Sequence, residues 1–186
     1  MSEGNRFSSL RTWQQEALHQ YLEHLEKGRR HLLWEATPGA GKTTAALKLC
    51  RHQLKHAGSK LLIIVVPTAH LKLQWAHAAK RQQLDLDSSF RSNASQLSRD
   101  YHGIVVTYQQ VANHPLRFAK LASQATIVLD EVHHAGDGLS WGQGLLAAFQ
   151  EAPFVLALSG TPFRSDSSAI PFVRYEYGVS EPDYVY

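Results

Sequence analysis

The stretch Leu32–Thr44, L-L-W-E-A-T-P-G-A-G-K-T-T, decides how this chain is read. An apolar run closes at Glu35. Gly39 and Gly41 follow, and Lys42, Thr43 and Thr44 lead into a helical pattern from Ala45. A strand, a glycine loop and a helix start make the layout of a phosphate-binding loop. Backbone N–H groups of such a loop and of the helix N-terminus point at anionic oxygens, and the residues must be small because a side chain would fill the phosphate's place. Thr37, Pro38, Gly39, Ala40, Gly41, Lys42, Thr43 and Thr44 are therefore candidate nucleotide ligands. Within them, Lys42 can reach β- and γ-phosphates and the Thr43 hydroxyl can ligate Mg²⁺. Ala36 stands where the first Gly of the strict pattern is written, which the loop tolerates if that position needs no positive φ. The bland alternative is a Gly-rich turn before a basic helix, and the rest of the chain weighs against it.

Working outward, 186 residues suit one α/β domain with a full core. Hydrophobic content of 44% and charged content of 19% are those of a globular protein. A net charge of +3 permits an anionic partner without demanding one. The single cysteine, Cys50, excludes an intramolecular disulfide and suits a reducing compartment. It lies in the apolar pattern Ala46, Leu47, Leu49, Cys50, Leu54 and reads as core. No apolar run reaches transmembrane length, and no signal-peptide pattern opens the chain. A soluble, cytoplasmic protein with no membrane partner is expected.

Upstream of the loop, Thr12 can cap a helix with Gln15 as its capping-box partner. Trp13, Ala17, Leu18, Tyr21, Leu22 and Leu25 lie at helical spacing, and Gly28 ends the element. A Gln amide can pair with the N6–H and N7 edge of adenine. Gln14 is thus a candidate adenine reader and Arg11 a second ligand; the alternative is two exposed polar residues on an amphipathic helix.

Downstream, L-L-I-I-V-V, closing at Val65-Val66, reads as a strand covered on both faces. Pro67-Thr68 then start a helix whose N-terminus, at Thr68, can hold a phosphate of a nucleic-acid backbone. Residues 81 to 103 are polar, with a short edge strand near Leu84 and Leu86 and solvated Arg91 and Arg99. Ile104–Gln109 is another strand with Thr107 at its C-terminal end, the rim where open parallel sheets hold ligands. Thr126–His134, T-I-V-L-D-E-V-H-H, delivers Asp130 and Glu131 to that rim. Asp130 fits as the outer ligand of Mg²⁺ and Glu131 as the base for an attacking water. A zinc site is set aside, because neighbouring His133 and His134 point different ways. The last clear strand lies in Pro153–Arg164. Ser159 and Thr161 sit on its terminal Gly turn, able to bond the His133 ring or the Glu131 carboxylate; a plain serine-threonine turn is the alternative. Ala135–Gly144, with its four glycines, reads as a loop.

Six blocks in this order resemble the first RecA-like domain of a superfamily two, DEAD/DEAH-type helicase. They are R-T-W-Q, A-T-P-G-A-G-K-T, V-P-T-A-H-L-K-L-Q-W, V-V-T-Y-Q, D-E-V-H-H and L-S-G-T-P-F-R, from Arg11 to Arg164. Their spelling looks most like the DNA-translocating branch that includes type III restriction subunits and excision-repair translocases. The resemblance implies an α/β RecA-like fold: a mainly parallel sheet with helices on both faces, the Ser159 strand lying between those of Lys42 and Asp130. It implies ATP and Mg²⁺ as cofactors, with Lys42, Glu131 and His133 in catalysis and Ser159 and Thr161 coupling to phosphate state. It implies a nucleic-acid partner, DNA over RNA, met at Thr68, His70 and Thr107. Many relatives carry Arg where Ala69 stands, leaving His70 or Lys72 to substitute. Residues 1–28 read as a helix with the adenine motif, 29–164 as the RecA-like domain, and 165–186 as a connector toward a second RecA-like domain, with its arginine finger, that this chain lacks. The function expected is the ATP-binding part of a nucleic-acid-dependent ATPase, helicase or translocase. An ATP-gated nucleic-acid-binding module without turnover is the alternative. A small-molecule kinase would need an acceptor lid, and no basic lid insertion is visible.

Overall fold

The computed structural model describes residues 10–92, 97–133, 139–160, 174–177 and 182–185. In chain order the elements are α1 (Thr12–Glu26), β1 (His31–Glu35), α2 (Lys42–His56), β2 (Leu61–Val66), α3 (Ala69–Arg81), β3 (Leu86–Asp87) and β4 (Gly103–Thr107). Then come α4 (Tyr108–Asn113), α5 (Pro115–Ala122), β5 (Ala125–Leu129), α6 (Leu139–Phe149), β6 (Phe154–Ser159), β7 (Arg174–Tyr177) and β8 (Pro182–Val185).

Strands β1 to β6 form one wholly parallel sheet in the order β1-β6-β5-β2-β4-β3. Strand β6 lies between β1 and β5, so the strand bearing Ser159 separates those leading to Lys42 and to Asp130, as the resemblance implies. The near-continuous apolar runs follow from burial on both faces. Along β2, Leu62, Ile64 and Val66 pack with Trp34, Leu47, Cys50 and Trp75 on the α1–α3 face. Ile63 and Val65 pack with Tyr108, Phe118, Leu145 and Phe149 on the α4–α6 face. Cys50 is buried in the first of these cores, where desolvation pushes its thiol up to about 12, as expected of an inert packing residue. The hairpin β7–β8 is antiparallel.

Two local readings change. Helix α1 is capped at Arg11, one residue before Thr12, and the return bond comes from Gln14 Oε1, which accepts the Arg11 N–H at 3.0 Å. Gln15 instead donates to the Leu10 carbonyl at 2.8 Å. The cap shifts because the first turn is pinned by the glycine loop, described below, and not by a hydroxyl. The segment read as a loop from Ala135 is helical from Leu139. Gly144 there is a packing glycine: a Cβ would come within 2.8 Å of Ala112 Cα, where α6 crosses α4. The polar segment 81–103 yields the short edge strand β3 beside β4, and it ends in a glycine with a distinct task. A Cβ on Gly103 would lie 2.2 Å from the Leu62 carbonyl oxygen. Gly103→Ala must therefore push β4 from β2. Overpacking costs about 1–3 kcal/mol, so the thermal midpoint is expected to fall by about 2–12 °C for a chain of this size. Thermal unfolding checks this, and an unchanged midpoint would contradict the strand spacing described.

Candidate nucleotide site at the carboxyl rim of the sheet

The glycine loop leaves β1 still tied to β6, with Ala36 N–H donating to the Ser159 carbonyl at 3.1 Å. It turns through Ala40 N–H to Thr37 O, 3.1 Å, and enters α2 at Gly41. Gly39 (φ 77°) and Gly41 (φ 92°) adopt the left-handed conformation that favours glycine. Ala36 does not, so the substitution at the first motif position carries no backbone strain.

Helix α1 grips the loop from outside through its carbonyls. Arg11 Nη1 donates to Ala40 O at 3.1 Å and to Gly39 O at 3.4 Å, Trp13 Nε1 donates to Ala40 O at 3.1 Å, and Gln14 Nε2 donates to Gly41 O at 2.9 Å. A trans peptide points its N–H opposite its C=O. Holding the Ala40 and Gly41 carbonyls toward α1 therefore turns the Gly41 and Lys42 amides the other way, as an anion cradle needs. Arg11 and Gln14, the adenine candidates, thus stand against the loop. Gln14 is only 4% exposed and bonds protein through both ends of its amide. Trp13, read from sequence as an apolar helix position, is a third clamp. Its indole N–H was the available signal, since a buried Trp N–H takes a partner.

On the other side of the cradle, β5 ends at Leu129 and the Asp130 N–H continues its ladder to Val65 O at 2.8 Å. Asp130 is 8% exposed, and its Oδ2 accepts from Trp75 Nε1 at 2.7 Å. Burial raises its carboxyl to about 6; the Trp75 bond and the Lys42 charge oppose that rise, while the Glu131 charge adds to it. Glu131 has φ 48°, a strained value for a side-chain-bearing residue. That turn points its carboxylate across the rim, where Oε1 lies 3.4 Å from Lys42 Nζ and Oε2 accepts the Gly160 N–H at 3.1 Å. Lys42 is 7% exposed and donates to Ala36 O at 2.7 Å. His133 Nδ1 lies 3.0 Å from Ser159 Oγ and 3.5 Å from Glu131 Oε2. Lys42, Asp130, Glu131, His133 and Ser159 are thus gathered from three separate stretches of chain. Gly160 joins them through its backbone, a contact that the residue types alone did not suggest. Thr161, His134 and Arg164 lie outside the described residues.

The proposed nucleic-acid residues sit farther along the same rim. Thr68 is the N-cap residue of α3, with no side-chain cap bond, and it is exposed, as is His70. Thr107 caps α4, its Oγ1 accepting from Gln110 N–H at 3.2 Å. Lys72 is buried and reaches Gln110 Oε1 at 3.4 Å; burial pulls its pKa down against the pull of Asp87. Tyr108 donates its hydroxyl to the Asp130 carbonyl at 2.8 Å. The sequence reads Trp75 only as an apolar position of its helix and Tyr108 only as part of the V-V-T-Y-Q block.

A parallel sheet, a glycine cradle entering a helix, and an acidic pair at the end of the next strand but one define a RecA-like P-loop domain. The family model "Type III restriction enzyme, res subunit" matches residues 7–164, and the chain belongs to that family. It is 48% identical over 169 residues to "Uncharacterized protein Rv2917" of Mycobacterium tuberculosis (strain ATCC 25618 / H37Rv), a match covering 90% of this chain. A Mycobacterium leprae (strain TN) protein is 44% identical over 168 residues, 89% of this chain. The chain spans 28% of the length of both relatives. Among solved structures, the ATPase core domain of Sulfolobus solfataricus SWI2/SNF2 superposes with a TM-score of 0.68 at 20% identity, covering 83% of this chain and 32% of that one. The UvsW helicase of bacteriophage T4 gives 0.59 at 24%, covering 81% and 52%. The type ISP restriction-modification enzyme LlaGI, solved with a DNA substrate mimic, gives 0.61 at 19%, covering 82% and 17%. These likenesses show the RecA-like helicase fold. Among the described residues no helix is long and apolar enough to cross a membrane.

Proposed function

We propose that this chain is the ATP-binding part of a nucleic-acid-dependent ATP hydrolase that works on DNA. The observation that carries the reading is the convergence of Lys42, Asp130 and Glu131 beside the glycine cradle. Thr37 to Thr44 wrap the phosphates, and Lys42 exchanges its ion pair with Glu131 for the β- and γ-oxygens. Arg11 and Gln14 lie where α1 meets the loop; to favour adenine, Gln14 exchanges its bonds to the Arg11 N–H and the Gly41 carbonyl for the adenine edge. The Thr43 hydroxyl and the Asp130 carboxylate are hard oxygen donors of the kind Mg²⁺ takes. A buried carboxylate whose charge is held back by desolvation is also one that a cation would relieve. Held by Thr43 and Asp130, Mg²⁺ would supply positive charge to offset that of the nucleotide phosphates. Glu131, released from Lys42, orients and deprotonates the attacking water. His133 and Ser159 connect Glu131 to the end of β6, and Ser159 with Thr161 relays phosphate state from there.

Thr68, His70 and Thr107 offer helix N-termini and hydroxyls to a sugar-phosphate backbone, so binding should be weak, salt-dependent and without sequence preference. DNA is favoured over RNA by two structural neighbours solved with DNA, the SWI2/SNF2 core and LlaGI. Steady-state phosphate release from ATP, with and without DNA, tests the reading. DNA should accelerate release, and Lys42→Ala should abolish it. Equal rates with and without nucleic acid would remove the nucleic-acid dependence, and full activity of Lys42→Ala would remove the site.

A further inference from the structure

A cavity of about 360 Å³ lies at the amino ends of the strands, on the opposite rim of the sheet from the glycine cradle. It is lined by Arg51, Leu54 and Lys55 of α2, by Gln83 and Leu84 after α3, and by His102, which precedes β4. Leu84 is buried and Leu54 partly so, which makes an apolar wall. Every other lining residue is a cation or a hydrogen-bond donor, and none is an acid. The sequence prepares this imbalance. No Asp or Glu occurs between Glu35 and Asp85, so α2 and α3 carry Lys and Arg without an acid.

The donors are held in place. Arg51 and Lys55 are one helical turn apart on α2 and share a face. Arg51 Nη2 donates to Gln83 Oε1 at 2.8 Å and Nη1 to Gln82 O at 3.4 Å, which leaves further guanidinium N–H groups to donate elsewhere. Gln83 has φ 59°, in the left-handed region where Gly is the easy residue after a helix. Gly would relieve that strain but has no amide to hold Arg51. His102 Nδ1 accepts the Asp85 N–H at 3.0 Å, so the ring carries its proton on Nε2 and is a donor there. Lys55 makes no hydrogen bond or ion pair among the described residues. The acid that follows Leu84, Asp85, is paired with Lys80. The helix C-termini that end at this rim would oppose an anion, but their carbonyls are taken up. Gln53 O accepts from the Ala57 and Ser59 N–H groups, and Ala79 O from those of Gln82 and Leu84.

We propose that this cavity binds a small organic phosphate, its charged head among Arg51, Lys55 and His102 and its apolar body against Leu54 and Leu84. Three separate donors suit the three free oxygens of a phosphomonoester better than the two of a carboxylate. The volume is several times what a bare phosphate fills, and it lies at the small end of ligand cavities.

Phenyl phosphate is the probe, with inorganic phosphate and phenol as its separate halves. Each is titrated into the whole chain and followed through backbone amide resonances, which read affinity and place together. Phenyl phosphate should saturate, with shifts centred on Leu54, Gln83, Leu84 and His102. It should bind about 10-fold tighter than inorganic phosphate, the effect of about 60 Å² of buried apolar surface, and phenol alone should not bind. Lys55→Glu reverses the charge of an exposed side chain that has no partner to lose. It should weaken phenyl phosphate by about 10-fold or more, because like charges then meet. Arg51→Lys keeps the charge and loses the fork, and should weaken it by about 3-fold or more. The same spectra show whether each variant is folded, and either folded variant decides. The titration is repeated in Lys42→Ala, where the same affinity is expected because the cradle lies on the other rim. No saturable binding of phenyl phosphate, or shifts confined to Thr37–Thr44, overturns the proposal. So does equal affinity for inorganic phosphate, or parent-like affinity in either folded variant.

Discussion

Glu131→Gln is expected to keep the binding of Mg²⁺-ATP proposed for the parent and to lose turnover by about 10²–10⁴-fold, the contribution of a positioned general base. The amide is isosteric with the carboxylate and can still accept the Gly160 N–H that Glu131 Oε2 takes at 3.1 Å. It cannot take a proton from water. It also removes the partner that Lys42 Nζ approaches at 3.4 Å, so the lysine turns to the phosphates with less to give up. Nucleotide affinity is therefore unchanged or slightly higher, while the chemical step fails. Equilibrium titration of nucleotide beside single-turnover hydrolysis separates the two effects. A parallel loss of both would show that Glu131 holds the nucleotide and that the base is elsewhere.

Asp130→Asn gives the opposite pairing: a more stable protein that handles Mg²⁺ poorly. Burial raises the Asp130 carboxyl from 3.8 to about 6, so ionising it in the folded chain is unfavourable. The folded state then binds more protons than the unfolded state between those values, and stability falls as pH rises through that window. Above pH 6 the charge costs about 3 kcal/mol, which Asn does not carry. Asn can still accept from Trp75. The nucleotide-free midpoint of Asp130→Asn should exceed the parent's by about 6–12 °C at neutral pH, and the gain should vanish near pH 4. Thermal unfolding across pH checks both. A variant less stable than the parent at neutral pH would mean that Asp130 is stabilised as a charge, not strained by burial.

The fold was legible because its signals are local and repeated. The apolar run L-L-I-I-V-V of β2 can be buried only in a sheet covered on both sides, and Gly39 and Gly41 fall where the backbone turns left-handed. The acidic pair of Asp130 and Glu131 follows β5 directly, so strand periodicity alone carries it to the rim. Less legible were contacts in which one chemical group of a large side chain matters. Trp13 and Trp75 sit at apolar positions of amphipathic helices, and their packing gave a complete account of them. Only three-dimensional proximity shows that their N–H groups meet Ala40 and Asp130. The cap of α1 was misplaced for a related reason: Thr12 has the right chemistry for a cap, but the loop carbonyls pull Arg11 and Gln14 into that task. Gly144 and Gly103 carry close approaches between distant segments, which a glycine-rich composition reports only as a loop.

The cradle from Thr37 to Thr44, with Lys42 and Asp130, is expected to bind Mg²⁺-ATP. Calorimetric titration of a non-hydrolysable ATP analogue into the chain, with Mg²⁺ or with chelator, tests it most directly. Saturable one-to-one binding is expected, weakened by chelation and lost in Lys42→Ala, which removes the buried cation beside Glu131. Binding that is absent from the parent chain, or equal in Lys42→Ala and indifferent to Mg²⁺, would contradict the account.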